Sequence, residues 1–244
     1  DIQLDNTCRK AKNILPVIIP LIDVSNLTNY EIGWLDKLKA WDYVYNANSA
    51  EATFYDTWQQ NLEALVWEDE FGPNDKDYIW PYFNRLDELI RYEPNSKWFD
   101  DKNTEKVETL ANLSNQSFRK TADELMHRLG ETSTQWQWQN FRGTDIHHLI
   151  KISGLGRLSL PTSGAPDIVN ATGITFGPSW RFAIEMADEK TIYGIYPGGQ
   201  SGYPGSEYYD NMVDDWVEGN YYPIQFPSKP NKVKGIQINW GGSK

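Results

Sequence analysis

Residues 104–129 read TEKVETLANLSNQSFRKTADELMHRL and carry the strongest helical pattern in the chain. Most of their apolar side chains recur at steps of three and four residues, which places them on one face of a helix. The members of this stripe are Val107, Leu110, Leu113, Phe118, Ala122, Leu125 and Leu129. Thr104 is suited to cap the amino end, and Gly130 is suited to follow the carboxyl end. The stretch therefore predicts a long amphipathic helix over 104–129.

Shorter segments before this helix carry the same periodicity. Residues 49–67 place Ala50, Phe54, Trp58, Leu62 and Leu65 on one face, with Ser49 as the N-cap. Residues 30–40 predict a further helix, as do residues 5–19, where Pro16 weakens the pattern. Residues 71–75 break the periodicity, and Leu86, Leu89 and Ile90 then mark a shorter helix that ends near Pro94. Residues 1–150 are thus predicted to be mainly helical.

The remainder of the chain, residues 151–244, is richer in glycine and proline and favours strands. Residues 180–186 and 191–196 predict a hairpin, with Asp188, Glu189 and Lys190 in its turn. Residues 210–217 predict a short helix, and residues 232–240 a final strand. Helices followed by strands indicate an α+β fold.

The composition argues against several classes of protein: nucleic-acid binders, disulfide-linked domains, membrane-spanning chains and disordered chains. The formal net charge is −11 without any run of Lys or Arg, which argues against a general nucleic-acid binder. The single cysteine, Cys8, makes an internal disulfide impossible. The longest apolar stretch, residues 14–22, is far shorter than the roughly 20 residues of a membrane-spanning helix. An aromatic content of 14% is typical of a folded domain rather than a disordered chain.

Two glycine-rich motifs resemble known functional loops but depart from them. Residues 199–203 (GQSGY) resemble a nucleophile elbow built on Ser201, yet that motif needs glycine where Tyr203 stands. A tight turn whose glycines permit positive φ is favoured instead. Residues 154–159 (GLGRLS) resemble a dinucleotide-binding loop but end in Ser159, and an ordinary loop is favoured.

The histidines and acidic clusters also fall short of a catalytic or metal site. His147 and His148 are adjacent and so diverge in direction, and His127 is expected at the surface or in packing. The clusters at residues 68–70, 100–101 and 214–215 are expected to be solvated charge or helix caps. No catalytic, cofactor-binding or metal-binding residue is therefore assigned in this chain.

Several motifs of the second half nevertheless occur in a recognisable order. They are FGPSWRF at 176–182, YPGGQSG at 196–202, SEYYD at 206–210, WVEG at 216–219 and YP at 222–223. Their order resembles the C-terminal region of the penicillin acylase family of N-terminal nucleophile hydrolases.

Motifs of the first half extend the resemblance over nearly the whole chain. They are DIQLD at 1–5, LKAWD at 38–42, NSAEAT at 48–53, WFDD at 98–101 with TE at 104–105, and WQW at 136–138 continuing to His148. The chain departs from the family pattern at Gln139, where glycine is usual, and at Arg142 and Tyr208, where histidine is common. These departures indicate a divergent member.

The resemblance implies an αββα sandwich with helical additions and an amidohydrolase that cleaves itself into an α and a β chain. In the family, the new amino-terminal Ser of the β chain is the nucleophile and its α-amino group is the base. A backbone N–H and an Asn side chain stabilise the oxyanion, and water releases the acid from an acyl-enzyme. These groups lie upstream of the motifs found in this chain, and Asp1 is a poor match for the nucleophile.

The resemblance accordingly predicts a C-terminal part of a β chain that is structural and inactive alone. It implies substrates that are acylated amines, such as β-lactams or acyl-homoserine lactones. Its partners would be the α chain and the amino-terminal part of the β chain. No cofactor is implied in this chain, and calcium would bind elsewhere in the full protein. The resemblance implies a periplasmic or extracellular compartment, whereas the lack of disulfides also suits a cytoplasmic one. Exposed strand faces would favour self-association.

A second hypothesis belongs to another class of protein. The chain could be a binding module that keeps the family fold without catalysis. The aromatic side chains between Tyr203 and Tyr222 would then form a carbohydrate- or peptide-binding surface.

Overall fold

The structure is a computed structural model that describes residues 2–74, 79–131, 134–187 and 190–225. The chain divides into two compact units. The first comprises Asp1–Thr144 and Ser159–Ile174, and the second comprises Asp145–Leu158 and Thr175–Lys244. Helices dominate the early part of the sequence and strands follow later, so the predicted α+β class is confirmed.

The helices of the first unit surround one aromatic core. They are α1 (Arg9–Ile18), α2 (Asn29–Ala40), α3 (Ala50–Phe71), α4 (Phe83–Tyr92), α5 (Leu110–Leu129) and α6 (Trp138–Phe141). After α6, β1 (Thr144–Ile146) pairs with β2 (Arg157–Leu160) in a two-stranded sheet. Within the described ranges, no helix is both long and apolar enough to span a membrane.

The central helix of this unit is α3, and it packs against α5. Phe118 of α5 lies 5.3 Å from Phe54 and 5.2 Å from Trp58 of α3, measured between ring centroids. The buried indole Nε1 of Trp58 donates to the hydroxyl of Ser117 at 2.9 Å. Full burial of such side chains stabilises a fold by roughly 1.5–3 kcal/mol each, and the Ser117 acceptor removes the penalty for burying the indole N–H.

The periodicity located the helices correctly but misplaced two of their starts. The helix predicted from Thr104 begins at Leu110, with Thr109 as its N-cap. Thr109 accepts from the backbone N–H of Asn112, and the Asn112 side chain accepts in return from the backbone N–H of Thr109. Val107, which was predicted to lie in the apolar stripe, is 74% exposed. The prediction of Thr104 as the cap was therefore wrong.

The first predicted helix is shorter than expected for a similar reason. It begins at Arg9 instead of Asp5, because the Cys8 thiol accepts from the N–H of Ala11 and so caps it. Pro16 lies inside α1 and supplies no N–H to the helical ladder. The predicted break after α3 occurs at Gly72, which has a positive φ of 73°. Asp75, also assigned to that break, lies outside the described residues.

The second unit contains a three-stranded antiparallel sheet. Its strands are β3 (Arg181–Glu185), β4 (Thr191–Ile195) and β5 (Tyr222–Ile224), and the helix α7 (Val213–Glu218) precedes β5. β3 pairs with β4 in the register Arg181 to Ile195, which confirms the predicted hairpin. Two residues of its turn, Asp188 and Glu189, and the strand predicted at 232–240 lie outside the described residues.

Candidate functional site

Backbone hydrogen bonds hold Ser201 of the GQSG turn. The backbone N–H of Ser201 donates to the carbonyl of Tyr208 at 3.0 Å. Its hydroxyl accepts from the backbone N–H of Tyr203 at 3.1 Å. Across the described part of the chain, no histidine, lysine or carboxylate is hydrogen-bonded to this hydroxyl, whereas an activated serine nucleophile has a base within hydrogen-bonding reach.

Close packing explains the glycine at position 199. A Cβ there would lie 2.1 Å from the carbonyl oxygen of Tyr208. None of Gly198, Gly199 and Gly202 has a positive φ, so the expectation that these glycines permit left-handed backbone was wrong. The segment bends at Gln200 and Gly202, and Gly199 serves the contact with the segment around Tyr208.

The second glycine-rich motif leads into a strand. Gly154 has a positive φ of 82°, and β2 begins at Arg157. A dinucleotide loop would open a helix whose amino end binds the pyrophosphate, so the motif is not of that kind; the ordinary loop is confirmed for residues 154–156, and residues 157–159 belong to β2. Arg157 instead forms ion pairs with Asp210 and Asp214 of the same unit.

A cleft of about 490 Å³ in the second unit is the clearest candidate for a binding site. Its lining comes from residues 145–149, 151, 175–177, 179, 197 and 216, which form segments distant in sequence. The cleft contains polar side chains together with the aromatic side chains of Phe176 and Trp216. Small-molecule sites of proteins share this mixture of an apolar surface and a few converging polar groups.

Both adjacent histidines line this cleft. The Nδ1 atom of His148 accepts from the backbone N–H of Ile150 at 3.4 Å, so the neutral ring carries its proton on Nε2. The Nε2 atom of His147 lies 3.8 Å from a carboxylate oxygen of Asp145. His127 lies elsewhere, exposed on α5, as predicted.

Lys151 lines the same cleft and was missed by sequence reasoning. Its φ of 53° is left-handed, a conformation that a residue with a Cβ rarely adopts. Its backbone N–H donates to the carbonyl of His148 at 2.7 Å, which closes a tight turn. No sequence signal marks this turn, because glycine or asparagine is the usual residue at such a position.

The acidic clusters have structural partners. Asp100 accepts from the backbone N–H of Glu108, and Asp101 accepts from that of Asn103. Glu70 pairs with Lys102, and Asp214 with Arg157. Among the described residues, no group of three His, Cys, Asp or Glu side chains is arranged to hold a metal ion.

Two single carboxylates of α3 have unusual protonation equilibria. Burial raises the pKa of Asp56 to about 6 and that of Glu63 to about 7. Attraction to Arg142 lowers the pKa of Asp56, and a hydrogen bond from Gln59 lowers that of Glu63, but burial outweighs both. Sequence reasoning missed this pair because it considered only adjacent carboxylates. Their spacing of seven residues places both on one face of α3.

Arg181 anchors the start of the three-stranded sheet. It is 3% exposed, its guanidinium donates to the carbonyl of Trp216 at 2.8 Å, and it lies over the indole ring of that residue. The indole Nε1 of Trp216 donates in turn to the carbonyl of Pro178 at 2.8 Å. These contacts of Arg181 join β3 to α7.

The chain is similar in sequence to a known protein family and to several curated proteins. The sequence profile of the penicillin amidase family matches residues 1–232. The chain is 23% identical to the acyl-homoserine lactone acylase QuiP of Pseudomonas aeruginosa, in a match that covers 84% of this chain and 28% of that protein. For the QuiP proteins of Pseudomonas syringae pathovars syringae and tomato, the identities are 27% and 26%. Those matches cover 77% and 82% of this chain, but 25% and 27% of the relatives. The chain therefore spans little more than a quarter of the length of these curated relatives.

Proposed function

We propose the following function for this chain, which belongs to the penicillin amidase family because the profile of that family matches residues 1–232. The chain is a structural portion of an amidohydrolase that cleaves the amide bond of acylated amines through an acyl-enzyme. The nucleophile and its base are supplied by polypeptide outside this chain. Acyl-homoserine lactones are the proposed substrate class, since the relatives named above are acylases of that class.

This proposal rests on the difference between the share of this chain that is matched, which is high, and the share of each relative that the chain spans, which is low. The family profile matches nearly the whole chain, yet the chain spans little more than a quarter of its relatives. The absence of a base hydrogen-bonded to Ser201 in the described part of the chain supports the same reading. The chain would contribute helices that flank an αββα sandwich and strands that complete its sheets.

The three-stranded sheet supplies a surface for the rest of such an enzyme. The register places Phe182, Ile184, Ile192 and Ile224 on one face, because directly paired residues share a side of a sheet. Phe182 is 47% exposed and Ile184 is 42% exposed. A contiguous apolar face of this kind indicates an interface. We assign it to the preceding part of the β chain, with the α chain as a further partner of the assembled enzyme.

A second candidate function is a non-catalytic binding module. It is favoured by the exposure of Tyr203 and Tyr208, at 71% and 54%. Exposed tyrosines present an apolar ring together with a polar hydroxyl, which suits a carbohydrate or peptide ligand.

The experiment that separates these functions compares two proteins. The 244-residue chain and the complete product of its gene are each incubated with N-octanoyl-homoserine lactone, and the released homoserine lactone is quantified. The proposal predicts hydrolysis by the complete gene product and none by the 244-residue chain. If neither protein releases homoserine lactone while the chain binds an oligosaccharide or peptide, the binding module is favoured instead.

A further inference from the structure

The cleft of the second unit has the size and lining of a ligand site. Its volume of about 490 Å³ lies within the roughly 300–1,000 Å³ of small-molecule pockets. Phe176 and Pro197 contribute exposed apolar surface to its lining, and the buried Trp216 lies behind them. The apolar body of a ligand would therefore leave water and contact these side chains, which favours binding.

The polar side chains of the cleft are mainly hydrogen-bond donors. His148 presents an Nε2–H, because its Nδ1 accepts from the backbone N–H of Ile150. Lys151 adds an ammonium group, and Ser179 adds a hydroxyl. Asp145, the one carboxylate among the described lining residues, has a carboxylate oxygen 3.8 Å from the Nε2 atom of His147. Donors of this kind suit an anionic group.

Among the charged side chains described for the second unit, Lys151 is the cation at this cleft that is available to a bound ligand. Arg157 is neutralised by Asp210 and Asp214, and Arg181 is buried against Trp216. Within the described ranges, Lys151 forms no ion pair. An anion bound at the cleft would thus meet a positive charge in a chain whose net charge is −11.

The backbone at Lys151 is held in a conformation that favours glycine. Its φ is 53°, and the N–H of this residue is fixed by the carbonyl of His148. Backbone strain of this kind is disproportionately found at binding and catalytic sites. A glycine at this position would relieve the strain but would remove the ammonium group from the cleft.

We propose that this cleft binds a small carboxylate with an apolar body. The carboxylate group lies at Lys151 and His148, and the apolar body lies against Phe176 and Pro197. The inference stands apart from the hydrolytic function, since it concerns binding by this chain and requires no bond to be broken.

Calorimetric titration of the 244-residue chain tests the charge preference. The probes are octanoate, octylamine and octanol, which share an apolar body and differ in charge. Saturable binding of octanoate with one site per chain, at least tenfold tighter than octylamine and octanol, is expected. Equal affinity for octanol, or no saturable binding of octanoate up to millimolar concentration, would overturn the proposal.

Substitutions at Lys151 locate the site. Lys151→Gln should weaken octanoate binding at least tenfold, whereas Lys12→Gln, which removes the same charge from the exposed face of α1, should leave it unchanged. Lys151→Gly should also weaken binding while the melting temperature stays the same or rises, because glycine accepts positive φ. Undiminished octanoate binding by the glycine variant would place the ligand elsewhere and refute the assignment.

Discussion

Glu63 shows, at the scale of a single residue, how burial sets a protonation equilibrium. Its carboxylate is half-buried on α3, and its pKa is raised from 4.5 to about 7. The native state therefore holds this proton more tightly than the unfolded state does. By linkage, the free energy of unfolding falls as the pH rises from about 4.5 to about 7, and it is lowest above that range.

The pH dependence of this residue gives the first prediction. One pKa unit corresponds to about 1.4 kcal/mol, so Glu63→Gln should stabilise the chain at pH 8 by on the order of 2 kcal/mol. Lys10 attracts the charged carboxylate, whereas Asp167 and Asp56 repel it, and burial outweighs these effects. Thermal melts at pH 5 and pH 8 measure the effect. The variant should lose less stability between the two pH values than the unsubstituted chain.

An exposed carboxylate of the same helix provides the control for this prediction. Glu68→Gln changes the charge of α3 equally but at an exposed position. It should move the melting temperature at pH 8 much less than Glu63→Gln does. Equal effects of the two substitutions would mean that net charge, not burial of Glu63, sets the pH dependence.

The glycines of the GQSG turn give a second prediction. Gly199→Ala places a Cβ against the backbone carbonyl of Tyr208 and should destabilise the chain by about 2 kcal/mol, the usual magnitude for overpacking. Gly202→Ala meets open space and should change stability by less than about 0.5 kcal/mol. Urea unfolding of both variants tests whether contact distinguishes the two positions. Similar losses would argue against the packing explanation.

At the scale of secondary-structure elements, the start of α5 depends on a choice between two threonines. Thr109 caps the helix through a reciprocal pair of hydrogen bonds with Asn112. Thr104 lies outside the helix, where its hydroxyl donates to the carbonyl of Lys106. Periodicity alone did not decide between them, since Val107 extends the apolar stripe towards Thr104 although its side chain is exposed.

This correction leads to the third prediction. Thr109→Ala should destabilise the chain by about 1 kcal/mol, the usual loss when an N-cap is removed. Thr104→Ala should cost less than about 0.5 kcal/mol, because its contacts are exposed. Chemical denaturation measures both values. A larger loss at Thr104 than at Thr109 would return the start of the helix to the position that the sequence predicted.

The elements were predictable to different degrees because they depend on different ranges of the chain. The apolar spacing of α3 and the two strand segments joined by a polar turn in β3 and β4 are local features, so both appear in the sequence. The cleft joins residues 145–149 and 151 to residues 175–177, 179, 197 and 216, and no local pattern contains that arrangement. The raised pKa of Glu63 likewise depends on burial by distant segments. The candidate site was therefore less predictable than the fold.

At the scale of the whole molecule, the apolar sheet face determines how the chain behaves alone. Phe182 and Ile184 expose large apolar side chains on the same side of a three-stranded sheet. Apolar surface of this kind favours association through the hydrophobic effect. The 244-residue chain is accordingly expected to self-associate when no other polypeptide covers the face.

Self-association supplies the fourth prediction. Ile184→Gln should weaken association of the chain by about tenfold, equivalent to about 1.4 kcal/mol. Val24→Gln changes an exposed apolar side chain of the first unit and should have no such effect. Sedimentation equilibrium over a range of concentrations measures both. A strict monomer at all concentrations would contradict the assignment of the sheet face as an interface.

The central claim is that this chain carries no activated nucleophile, and covalent labelling tests it most directly. The purified chain is incubated with a fluorophosphonate, which reacts with activated serine hydroxyls, and its intact mass is measured. Since Ser201 has no base hydrogen-bonded to it among the described residues, the mass should stay unchanged. A stoichiometric adduct that disappears in Ser201→Ala would contradict the account and make the GQSG turn an active site.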